Sequence, residues 1–505
     1  MSDNVLEYLE KSVDIYSDKI AVIEEDKKIT YKELRDSSRA VGSFLACNNI
    51  FNLPIVIYMD KGINTLISFF GVVYSSCYYV LINPEFPLER VNQITSVLKP
   101  KYVITDDNYI ENANKYFDGV KVFNINELKK NKIDEDKLLL ARSKHLDVDP
   151  LYVNFTSGST GVPKGVVISH KSVIDFIDNF TKLFNINNKD ILANQAPFDF
   201  DVSVKDIYSS LCVGATLVIV PKAYFSSPAK LLDYLCLNNV TTLIWAVSAL
   251  CLITTFHGLD YKVPDKVNKI LFSGEVMPIK HLKKWQESLP NTMFVNVYGP
   301  TEITCNCTYY IIDNNKEYDK IPIGKSFPNE KVFLLDKNNK LITDVNEVGE
   351  ICVSGSCVGL GYFNNVLQTE KSFIQNPLHN DYREIIYKTG DLAYYNEDFD
   401  LVFNGRVDFQ IKYQGHRIEL EEVEKLIMDI DEVVRACCIF EEEKSKLYGF
   451  YVGNIDKKEL HLKLKDKLPV FMIPSKLIKI EEFPITKNGK IDRKKLMIMK
   501  DDKND

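Results

Sequence analysis

The chain has 505 residues, 45% of them hydrophobic and 26% charged, with a formal net charge of −8. A chain this long and this apolar buries large cores and divides into two or more domains, which excludes a disulfide-stapled miniprotein and wholesale disorder. The acidic balance excludes a nucleic-acid surface spread over the molecule. Eleven Cys without a CxxC pair or zinc-finger histidines read as reduced thiols of a cytoplasmic protein.

The N-terminus lacks the basic start and apolar core of a signal peptide. Gly62 to Pro84 runs 23 residues without a charge, long enough to cross a bilayer. Its Asn, Thr and Ser residues favour a buried helix followed by a buried strand, so no stable membrane insertion is expected. Apolar runs of strand length, Ile55 to Met59, Tyr102 to Thr105, Thr216 to Val220, Thr242 to Ala246 and Lys269 to Phe272, alternate with helical patterns. That alternation predicts an α/β body with parallel sheets. The texture changes after Asp391. Short strands near 401–403 and 409–413, a charged helix over 419–428, strands over 433–441 and 447–453, and a helix over 457–467 predict a small α+β domain. The boundary falls so that 1–407 form the large domain and 408–505 the small one.

The strongest local signal is Tyr152-Val-Asn-Phe-Thr-Ser-Gly-Ser-Thr-Gly-Val-Pro-Lys-Gly165. Its Gly-rich backbone and the hydroxyls of Thr156, Ser157, Ser159 and Thr160 suit phosphate oxygens, with Gly158 and Gly161 in the loop and Lys164 as a point charge. It is not a Walker A loop, which requires GxxxxGK[ST] opening a helix. Asn296-Val-Tyr-Gly-Pro-Thr-Glu302 offers an aromatic face at Tyr298, a turn at Gly299-Pro300, a hydroxyl at Thr301 and a carboxylate at Glu302 suited to Mg²⁺. In Tyr387-Lys-Thr-Gly-Asp391 a carboxylate follows a turn, placed to accept a ribose diol. Gly405 to Glu419 carries Arg406 and Arg417 in a Lys-rich chain, and Pro484-Ile-Thr-Lys-Asn-Gly-Lys490 presents a Lys beside a Gly near the end.

Taken in this order, with Ile29-Thr-Tyr-Lys-Glu-Leu34 and Tyr79-Val-Leu-Ile-Asn-Pro84, these segments resemble the adenylate-forming superfamily over nearly the whole chain. The likeness is to its amino-acid-activating branch, the adenylation domains of nonribosomal peptide synthetases and the D-alanine carrier-protein ligases. The resemblance implies a large multi-sheet N-terminal domain sandwiched with helices and a small mobile C-terminal domain. It implies ATP and Mg²⁺ as cofactors and two half-reactions: formation of an aminoacyl-adenylate, then acyl transfer to the phosphopantetheine of a carrier protein. By that resemblance Thr156 to Lys164 hold phosphates, Tyr298 stacks on adenine, Glu302 binds the metal, Asp391 holds the ribose and Arg406 supports the nucleotide. Lys490 bridges the substrate carboxylate and α-phosphate, Asp408 is the hinge, and Gly415 borders the thiol channel. Asn83 and Leu360 stand where the family more often has Asp and Arg.

Pro197 to Asp206 resembles the family's substrate-pocket helix, with Asp201 at the position that pairs with an α-ammonium; a helix cap is the competing reading of Asp201. The remaining pocket positions by the same resemblance are Val202, Lys205, Trp245, Leu271, Ser273, Val297, Cys305 and Asn306. Trp245 takes up volume, which favours a small side chain, and Lys205 either points to solvent or meets an acidic group of the substrate. With fifteen residues following Lys490, a separate carrier protein is expected, and the enzyme is expected to be monomeric. The alternatives are a D-alanine–carrier-protein ligase, an acyl- or aryl-CoA ligase, or an inactive ATP-binding relative. Asp201 opposes the CoA ligase, since a buried carboxylate disfavours a substrate without an ammonium.

Overall fold

The computed structural model describes residues 3–158, 162–442, 444–485 and 491–502. The chain separates into two compact units: Met1–Pro84 with Pro100–Asn154 and Val166–Val407, and Glu85–Lys99 with Phe155–Gly165 and Asp408–Asp505.

Two sheets of the first unit face a common core. In the nine-stranded sheet the strands Met293–Tyr298, Lys269–Ser273, Thr242–Ala246, Ile191–Asn194, Thr216–Ile219 and Ile20–Glu24 lie side by side in that order, all parallel. Five of these strands run as unbroken apolar or buried stretches, as expected when both faces are covered. The seven-stranded sheet is built around Pro54–Tyr58, Tyr78–Leu81, Tyr102–Thr105 and Pro150–Thr156. Helices Ile63–Tyr74, His170–Leu183 and Val202–Val213 place Leu66, Phe70, Phe176, Ile177, Ile207 and Tyr208 in one core with Ile55, Ile57, Leu217, Leu271 and Val297 of the two sheets. A second core on the other face of the nine-stranded sheet gathers Leu243, Trp245, Ile270, Phe272 and Trp285. Residues 330–406 add an antiparallel sheet whose longest strand is Ile385–Tyr395.

The uncharged stretch is resolved into the 12-residue helix Ile63–Tyr74 and the strand Tyr78–Leu81. No helix among the described residues is long and apolar enough to cross a membrane. The Ile29 to Leu34 segment forms a capping box: Thr30 accepts from the Glu33 amide and the Glu33 carboxylate accepts from Thr30 N, opening the helix Tyr31–Cys47.

The second unit contains the hairpin Gln410–Tyr413 and His416–Glu419, the helix Leu420–Met428 and a three-stranded sheet of Val433–Glu441, Lys446–Gly453 and Lys476–Lys479. Gln414 and Gly415 connect the hairpin with φ of 52° and 80°, the left-handed pair that a two-residue hairpin turn requires. The strand Lys476–Lys479 and the helix Arg493–Asp502 were not anticipated from sequence.

Candidate active site

In open parallel sheets ligands collect beyond the carboxyl ends of the strands, and Tyr298 and Ser273 lie at such ends. Tyr298 ends the strand Met293–Tyr298, and the chain turns through Gly299 and Pro300 into the short helix Thr301–Ile303. Tyr298 is buried, donates its hydroxyl to Asp391 Oδ2 and sits tilted against Phe403. Asp391 is 2% exposed and pairs through its other oxygen with Arg406, across the Ile385–Tyr395 and Leu401–Arg406 strands. The carboxylate therefore fixes an aromatic ring and a guanidinium at once, while each of its oxygens keeps a second lone pair. Burial and the Asp391 charge drive the Tyr298 hydroxyl well above the usual phenol range, so it acts as a donor. Glu302 is wholly buried and accepts from the Tyr362 hydroxyl at 2.8 Å.

Gly299 cannot be replaced without movement. A Cβ there would lie 2.5 Å from Asn306 Cα and 2.7 Å from the Cys305 carbonyl oxygen. The strand end that carries Tyr298 thus abuts the segment that carries Asn306. Thr304 and Cys305 in that segment have φ of 67° and 110°, a backbone state L-residues seldom adopt and one that clusters at functional sites.

Asn306 belongs to a second group. The helix Val202–Val213 begins at Asp201, whose side chain makes no capping bond, so the cap reading is not realised. One residue beyond the first turn, Lys205 is fully buried; its ammonium donates to Asn306 Oδ1 at 2.7 Å and reaches Ser273 Oγ at 3.4 Å. The solvent-facing reading of Lys205 is thereby corrected. Ser273 and Leu271 lie on one face of their strand, and Val295, the neighbour of Leu271, shares a face with Val297. Cys305 is buried, its thiol pushed up to about 12 by burial and further by the Asp201 charge, against the opposing pull of Lys205. It is a neutral wall of the site, not a nucleophile.

Trp245 does not join this group. It pairs with Phe272 across the strands, and both belong to the core on the far face from Ile244 and Leu271. Its indole donates to the Ala193 carbonyl at 2.7 Å and its ring meets Phe225 edge-on. The expectation that Trp245 joins Leu271 and Ser273 is corrected: strand alternation puts Ala246, opposite Ser273, on their face instead. Sequence reasoning also missed a buried polar chain beside Lys205. Lys61 donates to Asn194 Oδ1 at 3.1 Å, and Asn194 Nδ2 donates to Asp206 Oδ2 at 2.8 Å.

Within the second unit, the Thr156 hydroxyl is buried and has no hydrogen-bond partner among the described residues. An orphaned hydroxyl on a loop of this composition fits a phosphate oxygen. Ser157 donates to the Arg417 carbonyl at 2.9 Å, and the Gly158 amide donates to Glu422 at 3.2 Å. Glu422 is itself fully buried and held by Arg90 at 2.6 Å. Neither Arg90 nor Glu422 was singled out as a site residue from the sequence. Ser159, Thr160, Gly161 and Lys490 lie outside the described residues. No group of three His, Cys, Asp or Glu at metal-binding spacing occurs among the described residues. A single buried carboxylate such as Glu302 is nonetheless what a Mg²⁺ shared with nucleotide phosphates needs.

The AMP-binding enzyme family profile matches residues 9–363. The chain belongs to the AMP-binding enzyme family. Among AMP-binding relatives, a D-alanine–D-alanyl carrier protein ligase of Bacillus cytotoxicus is 32% identical over 98% of this chain and 99% of that protein. Zwittermicin A synthase ZmaJ of Bacillus cereus is 31% identical over 100% of this chain and 96% of its own. Bacitracin synthase 1 of Bacillus licheniformis is 32% identical over 95% of this chain, which spans only 9% of that protein. Among solved structures, the Vibrio cholerae adenylation domain AlmE in complex with glycyl-adenosine-5'-phosphate superposes with a TM-score of 0.85 at 20% identity, covering 99% of this chain and 98% of that one. The large N-terminal and small C-terminal α/β architecture is that of adenylation domains.

Proposed function

We propose that the protein activates an amino acid with ATP as the aminoacyl-adenylate and then passes the acyl group to the phosphopantetheine thiol of a separate carrier protein. The observation that carries this reading is the Tyr298–Asp391–Arg406 cluster at the strand end that adjoins the Lys205–Asn306 group. A nucleotide site and an amino-acid site thus meet at Gly299. The carrier protein is supported by the name of the Bacillus cytotoxicus relative.

In the first half-reaction an oxygen of the amino-acid carboxylate attacks the α-phosphorus, and pyrophosphate leaves. No protein atom need bond to the substrate, so positioning and fixed charge supply the rate. Asp391 accepts from the ribose while Tyr298 covers the base, each pinned by the other. Arg406, oriented by Asp391, lends positive charge to the nucleotide. Thr156 donates its free hydroxyl to a phosphate oxygen. A Mg²⁺ on Glu302 neutralises phosphate charge when bound. Asp201, free of capping duty, receives the α-ammonium. Lys490 at the carboxylate and α-phosphate, Asp408 as hinge and Gly415 at the thiol channel complete the assignment on resemblance alone.

The test is amino-acid-dependent ATP–pyrophosphate exchange across the proteinogenic amino acids, D-alanine, β-alanine, octanoate and benzoates. Asp201→Ala removes the partner of a buried ammonium, a loss of about 3–5 kcal/mol, and is expected to lower kcat/KM by roughly 10²-fold or more. Exchange with octanoate or benzoate but with no amino acid would overturn the reading in favour of a CoA ligase. A change below about tenfold in Asp201→Ala would remove Asp201 from its role.

A further inference from the structure

We propose that Lys205 selects the amino acid: the substrate carries an anionic side chain, of aspartate or glutamate type, whose carboxylate pairs with the Lys205 ammonium. This rests on the adenylation reading above and names the substrate class for it.

Burying an ammonium is costly unless an anion accompanies it. Lys205 has 0% exposure, and both of its described hydrogen bonds go to neutral oxygens, Asn306 Oδ1 and Ser273 Oγ. It forms no ion pair among the described residues. Asp206 acts on it through space without bonding to it. Asp206, next in the helix, places one oxygen on Asn194 and leaves the other without a partner. Burial pushes the Asp206 carboxyl up to about 7, against the opposing pull of the Asn194 hydrogen bond and of the Lys205 and Lys61 charges. Lys61 adds a second cation to the same buried chain, through Asn194. Asp199 acts on Lys61, and Asp201 faces the α-ammonium in the proposed mechanism. No carboxylate among the described residues forms a direct ion pair with the Lys205 ammonium, and on this proposal the side chain of the bound amino acid supplies it.

Asn306 gives the ammonium direction. It sits on a segment whose backbone is held by the Gly299 contact and by the left-handed Thr304 and Cys305, so its carbonyl oxygen has little freedom to retreat. Trp245, which would have argued for a small substrate, lies on the other face of the sheet and sets no limit on side-chain length here.

The experiment uses the full chain. Pyrophosphate exchange is measured with both enantiomers of aspartate and glutamate, with asparagine and glutamine, and with alanine, D-alanine and serine. An acidic amino acid is expected to exceed its own amide by at least about 10²-fold in kcat/KM, because a site built for a polar substrate group strongly rejects the analogue lacking it. In Lys205→Met the acid is expected to lose its preference over the amide, while KM for ATP stays within about threefold. A neutral amino acid as the best wild-type substrate would overturn the assignment of Lys205 while leaving adenylation standing. Exchange with no amino acid at all would overturn both. Because the wild-type preference alone decides the matter, the result does not depend on whether the variant folds.

Discussion

Gly299→Ala tests the mechanical link between the nucleotide end and the amino-acid end of the site. The added Cβ would meet Asn306 Cα at 2.5 Å, the Cys305 carbonyl oxygen at 2.7 Å and Ile303 Cδ1 at 2.8 Å. Non-bonded carbons settle near 3.5–4.0 Å, so the 303–306 segment must move by about 1 Å. Two of the three clashing atoms are backbone, and the flanking left-handed residues leave few alternative conformations, so a side-chain rotation cannot absorb the strain. Overpacking of this kind costs about 1–3 kcal/mol of stability. The same shift carries Asn306 Oδ1 away from its 2.7 Å contact with Lys205. Misplacing a positioning group by that distance costs roughly 10²-fold in rate. With ATP saturating and the amino acid varied, pyrophosphate exchange should show kcat/KM falling by that factor, and calorimetry should show a lower melting temperature. If kcat/KM stays within about threefold and the melting temperature is unchanged, the turn moves without carrying Asn306, and the coupling drawn through Gly299 is wrong.

Two further perturbations separate stability from chemistry. Thr156→Val replaces a buried hydroxyl that has no partner among the described residues, so thermal stability should hold or rise. Its kcat/KM for ATP should nonetheless fall roughly 10-fold, the share of one hydrogen bond to a charged oxygen, and unchanged ATP kinetics would exclude Thr156 from phosphate binding. Asp206→Asn addresses pH. Burial raises this carboxyl from 3.8 to about 7, so its contribution is intact in acid and is lost as pH rises from near 4 through about 7. The Asn variant should show a flatter fall of urea-unfolding free energy across that window; an equal or steeper fall would remove Asp206 as the source.

Much of the fold is legible because it follows local rules. The strand Thr242–Ala246 and the strand Val433–Glu441 fall where their apolar runs end, and the Gln414-Gly415 turn announces its hairpin. The Tyr298 to Glu302 turn is legible because Gly299 and Pro300 mark backbone that must bend. The antiparallel sheet over 330–406 is less so. Its pairings join distant segments, such as Glu330–Leu335 with Gly349–Gly355, whose register no local pattern encodes.

The two pocket residues that resisted sequence reasoning did so for one geometric reason: parity. On a strand, a shift of one residue exchanges the two faces, so a motif alignment one place out puts Trp245 in the pocket and leaves out Ala246. Nothing in the apolar run Thr242 to Ala246 marks which face is which, since both are buried. On a helix the ambiguity runs the other way. A Lys in an otherwise apolar stretch reads as an outward, solvated position, and only the covering of Ser203 to Leu211 shows that the helix has no outward face at this point: Val204, Lys205, Asp206, Ile207 and Tyr208 are all buried. A buried run with adjacent Lys and Asp cannot be explained by amphipathic packing. Burying adjacent Lys and Asp costs desolvation, and the proposed pairing of Lys205 with an anionic substrate side chain would offset part of that cost.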